Sequence, residues 1–512
     1  MNNKNKNPET KQHISPDDIK CALFKTANNI PYAVINGQHR QEVLCIHSQA
    51  MRDIITKKLY EKNGKAPSKS TIDQIQDTLA ARAKFEGDTK KVWTRTAKTE
   101  TGIEIDLNDD LGLCVSITKE GWDVMRSSTV YFERPASSRN MPTPISDGSW
   151  ELFKKHFKTR SEGDLRLLIG FMSSCFRPKG PYPVLVLQGE QGSAKSTTAR
   201  MIKALVDPSA GATRSAPKKE QDLFIAAQNS HLLSFDNISL IKNDFSDALC
   251  RIATSGTFAT RSLYTNNEEF QMELCKPIIL NGITDFVNRA DLASRSIIIE
   301  LAPIPESERK SEEQVMSDFY GDLPLMLGVL MDSVASALKY KDSTSVKCLP
   351  RMADTAIWVT AAEKGLGWPE NSFLEAFQAN QLNALLTNLS TDSVAIALRN
   401  FLFKHPEKKW SGTATKLLGE LTQEKPIFLN TRSWPDTPSY LSTYLARLAP
   451  NLRKIGIGFD KDRSSSQRLL SFVKLDNFDD MNPNLIDDGS LIHDLDAPHV
   501  VTTMTATSVM NN

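Results

Sequence analysis

The sequence predicts a chain built around an α/β domain with a mostly parallel sheet. A smaller α+β region precedes it and a small helix-and-hairpin domain follows. Three observations carry this. Between residues 150 and 305, short β-branched runs (PVLVLQG, HLLSFDN, KPIILNG, SIIIEL) alternate with helical patterns, as strands buried on both faces do. The first run ends in GEQGSAKST, a small polar loop that opens a helix. Residues 391–475 hold fourteen Lys or Arg against seven Asp or Glu, an excess of +7 in a chain whose net charge is +1.

In chain order, residues 1–18 are polar and predict disorder. Residues 70–85 set Ile72, Ile75, Leu79 and Ala80 at helical spacing. GIEIDLNDDLGLCVSI alternates around Asp109 and Asp110, a hairpin signal, and STVYFERP adds a strand. An N-terminal α+β domain over 19–145 follows, with RPASSRNMPTPISDGS (134–149) as a linker. The sheet domain spans 150–305, a helical segment 306–388 and the basic domain 389–475. The tail, 476–512, carries seven aspartates and no Lys or Arg. It predicts a disordered, solvated segment, with a DNA mimic folded over the basic hairpin as the sharper alternative.

An apolar fraction of 40% and a charged fraction of 24% are those of a globular chain. No secretory signal and no unbroken apolar run of membrane-spanning length stands out, so a cytoplasmic protein off the membrane is expected. The seven cysteines are scattered without a CxxC pair, which argues against a zinc site or disulfide framework.

The loop carries the chemistry. Gly189 lets the strand turn sharply, and Gly192 lets backbone N–H groups approach an anion. Lys195 would reach the β- and γ-phosphates of ATP, and the Ser196 hydroxyl would bind Mg²⁺. Glu190, Gln191, Ser193, Ala194 and Thr197 complete the nucleotide-binding set. Ala194 stands where the strict pattern has glycine; helical dihedrals suit alanine, so the loop can still close. Asp236, at the end of HLLSFDN, supplies the second Mg²⁺ ligand. Asn237 follows it, where a carboxylate would polarise water; an amide orients water but accepts no proton. That leaves Glu190 or another carboxylate as base. Asn281 ends KPIILNG, placed to sense the γ-phosphate. Arg295, before the last strand, would act on a neighbour's nucleotide, with Arg289 the second choice. Taken singly, a turn asparagine and a solvated arginine are the bland alternatives.

The order of these parts over 183–301 resembles the superfamily 3 helicases, a branch of the AAA+ ATPases found in small DNA viruses, phages and mobile elements. The resemblance rests on GEQGSAKS, the FDN strand end, SLYTNNEEFQMELCKPIILN and LASRSIIIEL. It implies an ATP-driven DNA helicase or replication initiator acting as a ring, a hexamer, with host replication proteins as possible partners. One departure stands out. The hairpin before the sensor strand carries Lys and His at its tip in the viral helicases. Here the tip holds Asn266 and Asn267, with Arg261 on the rising strand as a substitute. Together with Asn237 this favours a rival reading, an ATP-dependent DNA-binding switch that marks an origin or recruits a host helicase without unwinding.

In the basic domain, SYLSTYLARLAPNLRKIG sets Leu441, Leu445, Leu448 and Leu452 on one face. Tyr440, Thr443, Tyr444 and Arg447 lie on the other. IGIGF and RLLSFVKL follow, joined by a turn near Lys461, Arg463 and Arg468. Helices followed by a basic hairpin predict a winged helix that binds DNA.

Overall fold

The first elements follow from local signals. In the computed structural model, which describes residues 15–37, 39–254, 256–261, 269–283, 286–287, 289–347, 349–425, 434–463, 468–476 and 478, a 3-10 turn, Pro16–Asp18, is capped reciprocally by Ser15 and Asp18. Asp17 pairs with Arg82 at 2.7 Å and Asp18 with Lys62 at 2.6 Å. Expected disorder thus gives way to structure by residue 15, and residues 1–14 lie outside the described residues. Strands β1 (Ala22–Lys25), β2 (Pro31–Asn36) and β3 (Gln41–Cys45) precede helices α1 (Gln49–Asn63) and α2 (Lys69–Phe85) and the short β4 (Asp88–Thr89). The sheet runs β3-β2-β1-β4. Serines 48 and 68 cap the helices, which bury Met51, Ile55 and Leu59 and Ile72, Ile75 and Leu79 in one cluster.

Strands β5 (Val92–Trp93), β6 (Thr96–Lys98), β7 (Ile103–Asp106), β8 (Cys114–Ile117), β9 (Trp122–Met125) and β10 (Tyr131–Phe132) follow. The expected hairpin is β7–β8, with Ile103 opposite Ile117 and Asp106 opposite Cys114. STVYFERP contributes only β10, paired with β5. Ile103, Ile105, Val115 and Ile117 share a core with the helices of the following domain. This corrects the expected boundary: 96–145 is packed into that domain rather than standing apart. The stretch read as a linker is held too. Met141 is buried, Arg139 N–H donates to Pro208 O at 2.9 Å, and Ile145 N–H donates to Pro324 O at 3.0 Å. A Pro- and Ser-rich run has no apolar period, yet its backbone groups find partners.

The central part comprises α3 (Glu151–His156), α4 (Glu162–Cys175), β11 (Val184–Gln188), α5 (Lys195–Val206), α6 (Glu220–Gln228), β12 (Leu233–Ile238), α7 (Asn243–Thr254), β13 (Gly256–Arg261), β14 (Glu269–Leu274), β15 (Ile278–Gly282), α8 (Ala290–Ala293) and β16 (Ser296–Glu300). The four apolar runs form one parallel sheet in the order β12-β15-β11-β16. It is a mixed α/β fold with apolar clusters on either side of the sheet. Three helices follow, α9 (Glu312–Tyr340), α10 (Ala353–Leu366) and α11 (Ser372–Ser390). By length and composition α9 could cross a membrane, but it buries Phe319, Leu323, Leu327 and Leu330 in the core.

The chain divides into two units, 1–382 and 383–512. The second holds α12 (Ser393–Lys404), β17 (Lys409–Thr413), α13 (Ala414–Gln423), α14 (Pro438–Lys454), β18 (Ile457–Arg463) and β19 (Arg468–Lys474), with a sheet ordered β17-β19-β18. Its core joins Leu398, Leu417, Leu441, Leu445 and Phe472, and also takes in Leu385 and Phe478. The unit therefore exceeds the expected 389–475 at both ends. The rest of the acidic tail, from 479, lies outside the described residues.

Candidate nucleotide and nucleic-acid sites

Parallel pairing brings the carboxyl ends of β11, β12 and β15 to one edge of the sheet, where such folds hold ligands. The loop from Gly189 to Ala194 leaves β11 there and enters α5. Gly189 (φ 147°) and Gly192 (φ 88°) take backbone conformations closed to other residues. Glu190, Gln191 and Gly192 are exposed, whereas Ser193 is buried. Ser193 Oγ donates to Glu190 O at 2.9 Å. Lys195 Nζ folds back across the loop and donates to Gly189 O at 2.8 Å and Glu190 O at 2.7 Å. Burial lowers the Lys195 pKa, and nearby Asp236 opposes the shift.

Ala194 differs from expectation. It sits at the helix N-cap at φ 56°, ψ 26°, in the left-handed region and not in helical dihedrals. Left-handed geometry costs an L-residue with a Cβ roughly 1–2 kcal/mol. The loop therefore carries local strain that glycine would lack.

Ser196 Oγ donates to Asp236 Oδ1 at 3.0 Å, joining the start of α5 to the end of β12. Thr213 Oγ1 donates to the other carboxylate oxygen at 3.4 Å. Thr197 is half-buried, its Oγ1 3.5 Å from Arg200 Nη2. The β12–β15 register slips between Phe235 and Ile238, and Asn237 lies exposed in the left-handed region at φ 58°. Asn237 N–H donates to Asn281 Oδ1 at 2.8 Å. Asn281 is only 1% exposed, and its Nδ2 has no hydrogen-bond partner among the described residues. Such a donor costs about 1–3 kcal/mol unless something pairs with it. Asn281 is opposite Leu187, beside the strand end that begins the loop.

Below the site, Asp207 joins Lys203 at 2.7 Å and Arg95 at 3.3 Å, all buried. Burial alone would raise the Asp207 carboxyl, but Lys203 and Arg95 hold it below the usual range. Asp207 also accepts the His231 and Leu232 N–H groups, fixing the end of α5 to the start of β12.

Arg295 lies at the opposite edge of the sheet. Its carbonyl accepts Val184 N–H at 3.0 Å, at the amino end of β11. At about 3.3 Å per residue the strand puts it more than roughly 13 Å from its own loop. Its guanidinium pairs with Asp291, which also binds Arg351 at 2.8 Å. Arg289 pairs with Asp247 at 2.7 Å. Arg261 ends β13, its backbone paired with Glu269, while Asn266 and Asn267 lie outside the described residues.

In the second unit, α14 buries Leu441, Leu445 and Leu452, with Leu448 packed at the margin. Tyr440, Thr443 and Arg447 are exposed on the other face. Tyr444 is not open there: its hydroxyl donates at 2.7 Å to Asp392, the residue that caps α12. Along β18–β19, Phe459 is opposite Phe472, Lys461 opposite Leu470 and Arg463 opposite Arg468. Alternation therefore puts Lys461 and Arg468 on the face that is apolar at the hairpin base. Lys461 and Arg468 are exposed. Residues 464–467 of the turn lie outside the described residues.

The sequence reading missed Thr213, which lies in the aperiodic link between α5 and α6 where no pattern marks it. Nor does any pattern mark β17, whose KWSGT is mostly polar and too short to show alternation.

These features make the chain a mixed α/β protein with a glycine-bent loop at a sheet edge and a separate basic unit. Residues 156–379 match the family described as actinomycete integrative conjugative element replication protein, and residues 394–483 match the AICE RepA C-terminal domain. The two matches fall one in each unit, in chain order, and support a replication protein of a mobile element. The chain is also similar to the A form apo structure of the NrS-1 C-terminal region, at 10% identity over 89% of this chain and 96% of that one, TM-score 0.40. The apo structure of NrS-1 C-terminal region 305–718 gives 11% identity over the same shares, TM-score 0.39. No curated protein matches the chain.

Proposed function

We propose that this mobile-element replication protein is an ATP hydrolase of AAA+ type, similar to superfamily 3 helicases, that unwinds DNA as a hexameric ring. The observation that carries it is the Ser196–Asp236 contact at 3.0 Å beside the glycine-bent loop. A hydroxyl and a carboxylate so placed suit Mg²⁺, and the unpaired Asn281 Nδ2 suits a phosphate oxygen. Bound Mg²⁺–ATP supplies the transferable phosphoryl group. Lys195 exchanges two loop carbonyls for phosphate oxygens. Ser196 and Asp236 hold the cation. Asn281 holds the Asn237 backbone at the register slip through Oδ1 and offers Nδ2 to the nucleotide. Arg295, too far from its own loop, serves a neighbouring subunit's site. The order α12-β17-α13-α14-β18-β19 is that of a winged helix, with Tyr440, Thr443 and Arg447 facing bases and Lys461, Arg463 and Arg468 facing phosphates.

A second reading is favoured by Asn237. An amide beside Asp236 accepts no proton, which suits a slow ATP-dependent switch that binds DNA and recruits a host helicase. Strand displacement on a forked duplex, with and without ATP, separates the two. ATP-dependent displacement, lost in Lys195→Ala along with ATPase activity, supports the helicase. ATP-dependent binding without displacement supports the switch, and unchanged turnover in Lys195→Ala removes both.

A further inference from the structure

The chain leaving the sheet crosses the candidate phosphate loop. Leu301 N–H donates to Gln188 O at 2.8 Å, and Leu301 O lies 2.6 Å from where a Cβ on Gly189 would stand. Beyond it, Glu306–Glu308 form a 3-10 turn, Ser311 caps α9, and Glu312 pairs with Arg200 on α5. Arg309 lies between these two anchors. A Cβ built on Gly192 would meet one atom within 4 Å, Arg309 Nη2 at 3.5 Å. The guanidinium thus overhangs the stretch of backbone that glycine keeps open. Its commitments are slight: Nε donates to Ile304 O at 3.3 Å, Glu306 is 3.9 Å away, and the side chain is 55% exposed.

We propose that Arg309 is a nucleotide-binding residue that contacts the terminal phosphate of the same subunit's triphosphate, from the link between β16 and α9. This rests on the phosphate-loop reading above. Lys195 approaches from the α5 side of the loop and Arg309 from its open side. A planar guanidinium can give two parallel N–H donors to phosphate oxygens, which an ammonium cannot. A residue on the terminal phosphate favours triphosphate over diphosphate, so Arg309 would couple nucleotide state to the start of α9.

The test is titration of the full chain with fluorescent mant-ATPγS and mant-ADP in Mg²⁺. Arg309→Ala should weaken the triphosphate analogue about tenfold or more, the scale of a charged hydrogen bond, and leave mant-ADP within about threefold. Arg309→Lys should restore part of the loss, and the nucleotide-free melting temperature should not move, because the side chain is half exposed. An equal loss for both nucleotides would overturn the assignment to the terminal phosphate. Wild-type affinities in Arg309→Ala, with binding lost in Lys195→Ala, would overturn the Arg309 proposal alone. Wild-type binding in Lys195→Ala would overturn the phosphate-loop reading itself.

Discussion

The two units use the same cations in opposite ways. Beneath the loop, Arg95 and Lys203 are 1% and 2% exposed and both are committed to Asp207. In the second unit, Arg447, Lys461 and Arg468 are exposed and take part in no ion pair among the described residues. A buried charge must find its partner within the fold, whereas an exposed basic face keeps its interaction for something outside. The first arrangement fixes geometry and the second leaves binding to ionic strength. The candidate nucleotide site should therefore respond to single substitutions and the basic face to salt.

The largest expected effect tests how far the first unit is complete by itself. Arg295→Ala should lose about 10³–10⁵ in hydrolysis while retaining nucleotide binding. Mixing it with Lys195→Ala subunits should restore activity at mixed interfaces, measured as turnover against mixing ratio. If Arg289→Ala gives this complementation instead, the finger is Arg289. If neither does, the site takes no arginine from a neighbour.

Next comes the pH response of the buried side. His231 is enclosed, its Nε2 donating to Cys175 O at 2.7 Å, and burial with nearby Lys276 lowers its pKa to about 4. Between that value and the unfolded value near 6.5, the unfolded chain binds the proton and the native one does not. Stability should therefore fall as pH drops from 6.5 to 4, by on the order of 3 kcal/mol when complete. Urea midpoints for wild type and His231→Gln over this range check it. A slope unchanged in the variant would assign the acid sensitivity elsewhere.

The basic face should behave differently. Replacing Lys461, Arg463 and Arg468 with alanine should flatten the log–log salt dependence of duplex binding by about 2.7 if each meets a phosphate, and leave DNA-free ATPase untouched. Removing Tyr440 or Arg447 should relax sequence preference more than it shifts the slope. A triple variant with wild-type slope and affinity would move this face from DNA to protein.

What the sequence made legible follows the same division. The four buried strands are readable because β-branched runs between helical patterns have few other solutions, and Asp236 and Asn281 are readable as polar residues near their carboxyl ends. The edge between the units was not. It falls inside α11, whose apolar residues Phe373 and Phe377 serve one core and Leu385 and Leu389 the other, and a continuous helix gives no boundary signal. Nor could spacing show that β7 and β8 pack into the central core. Tyr444 carried a surface pattern, yet its hydroxyl is tied to Asp392 by a contact distant in sequence.

The smallest effect is the most diagnostic of the loop. Ala194 was expected in helical dihedrals because alanine favours them, and it is left-handed instead. The two conformations predict opposite signs for Ala194→Gly. In a helix, glycine would destabilise by roughly 0.5–1 kcal/mol. At φ 56° it relieves the Cβ contact, roughly 1–2 kcal/mol, against an unfolded-state entropy loss of about 0.4–1 kcal/mol. The net should be a gain of up to about 1.6 kcal/mol, centred on about 0.8 kcal/mol, read as a raised urea midpoint with unchanged slope. Nucleotide affinity should be equal or better, because the loop's backbone donors no longer carry that strain. A lowered midpoint would mean that Ala194 is helical in solution. The turn into α5 would then have to be made by Gly192 and Ser193 alone.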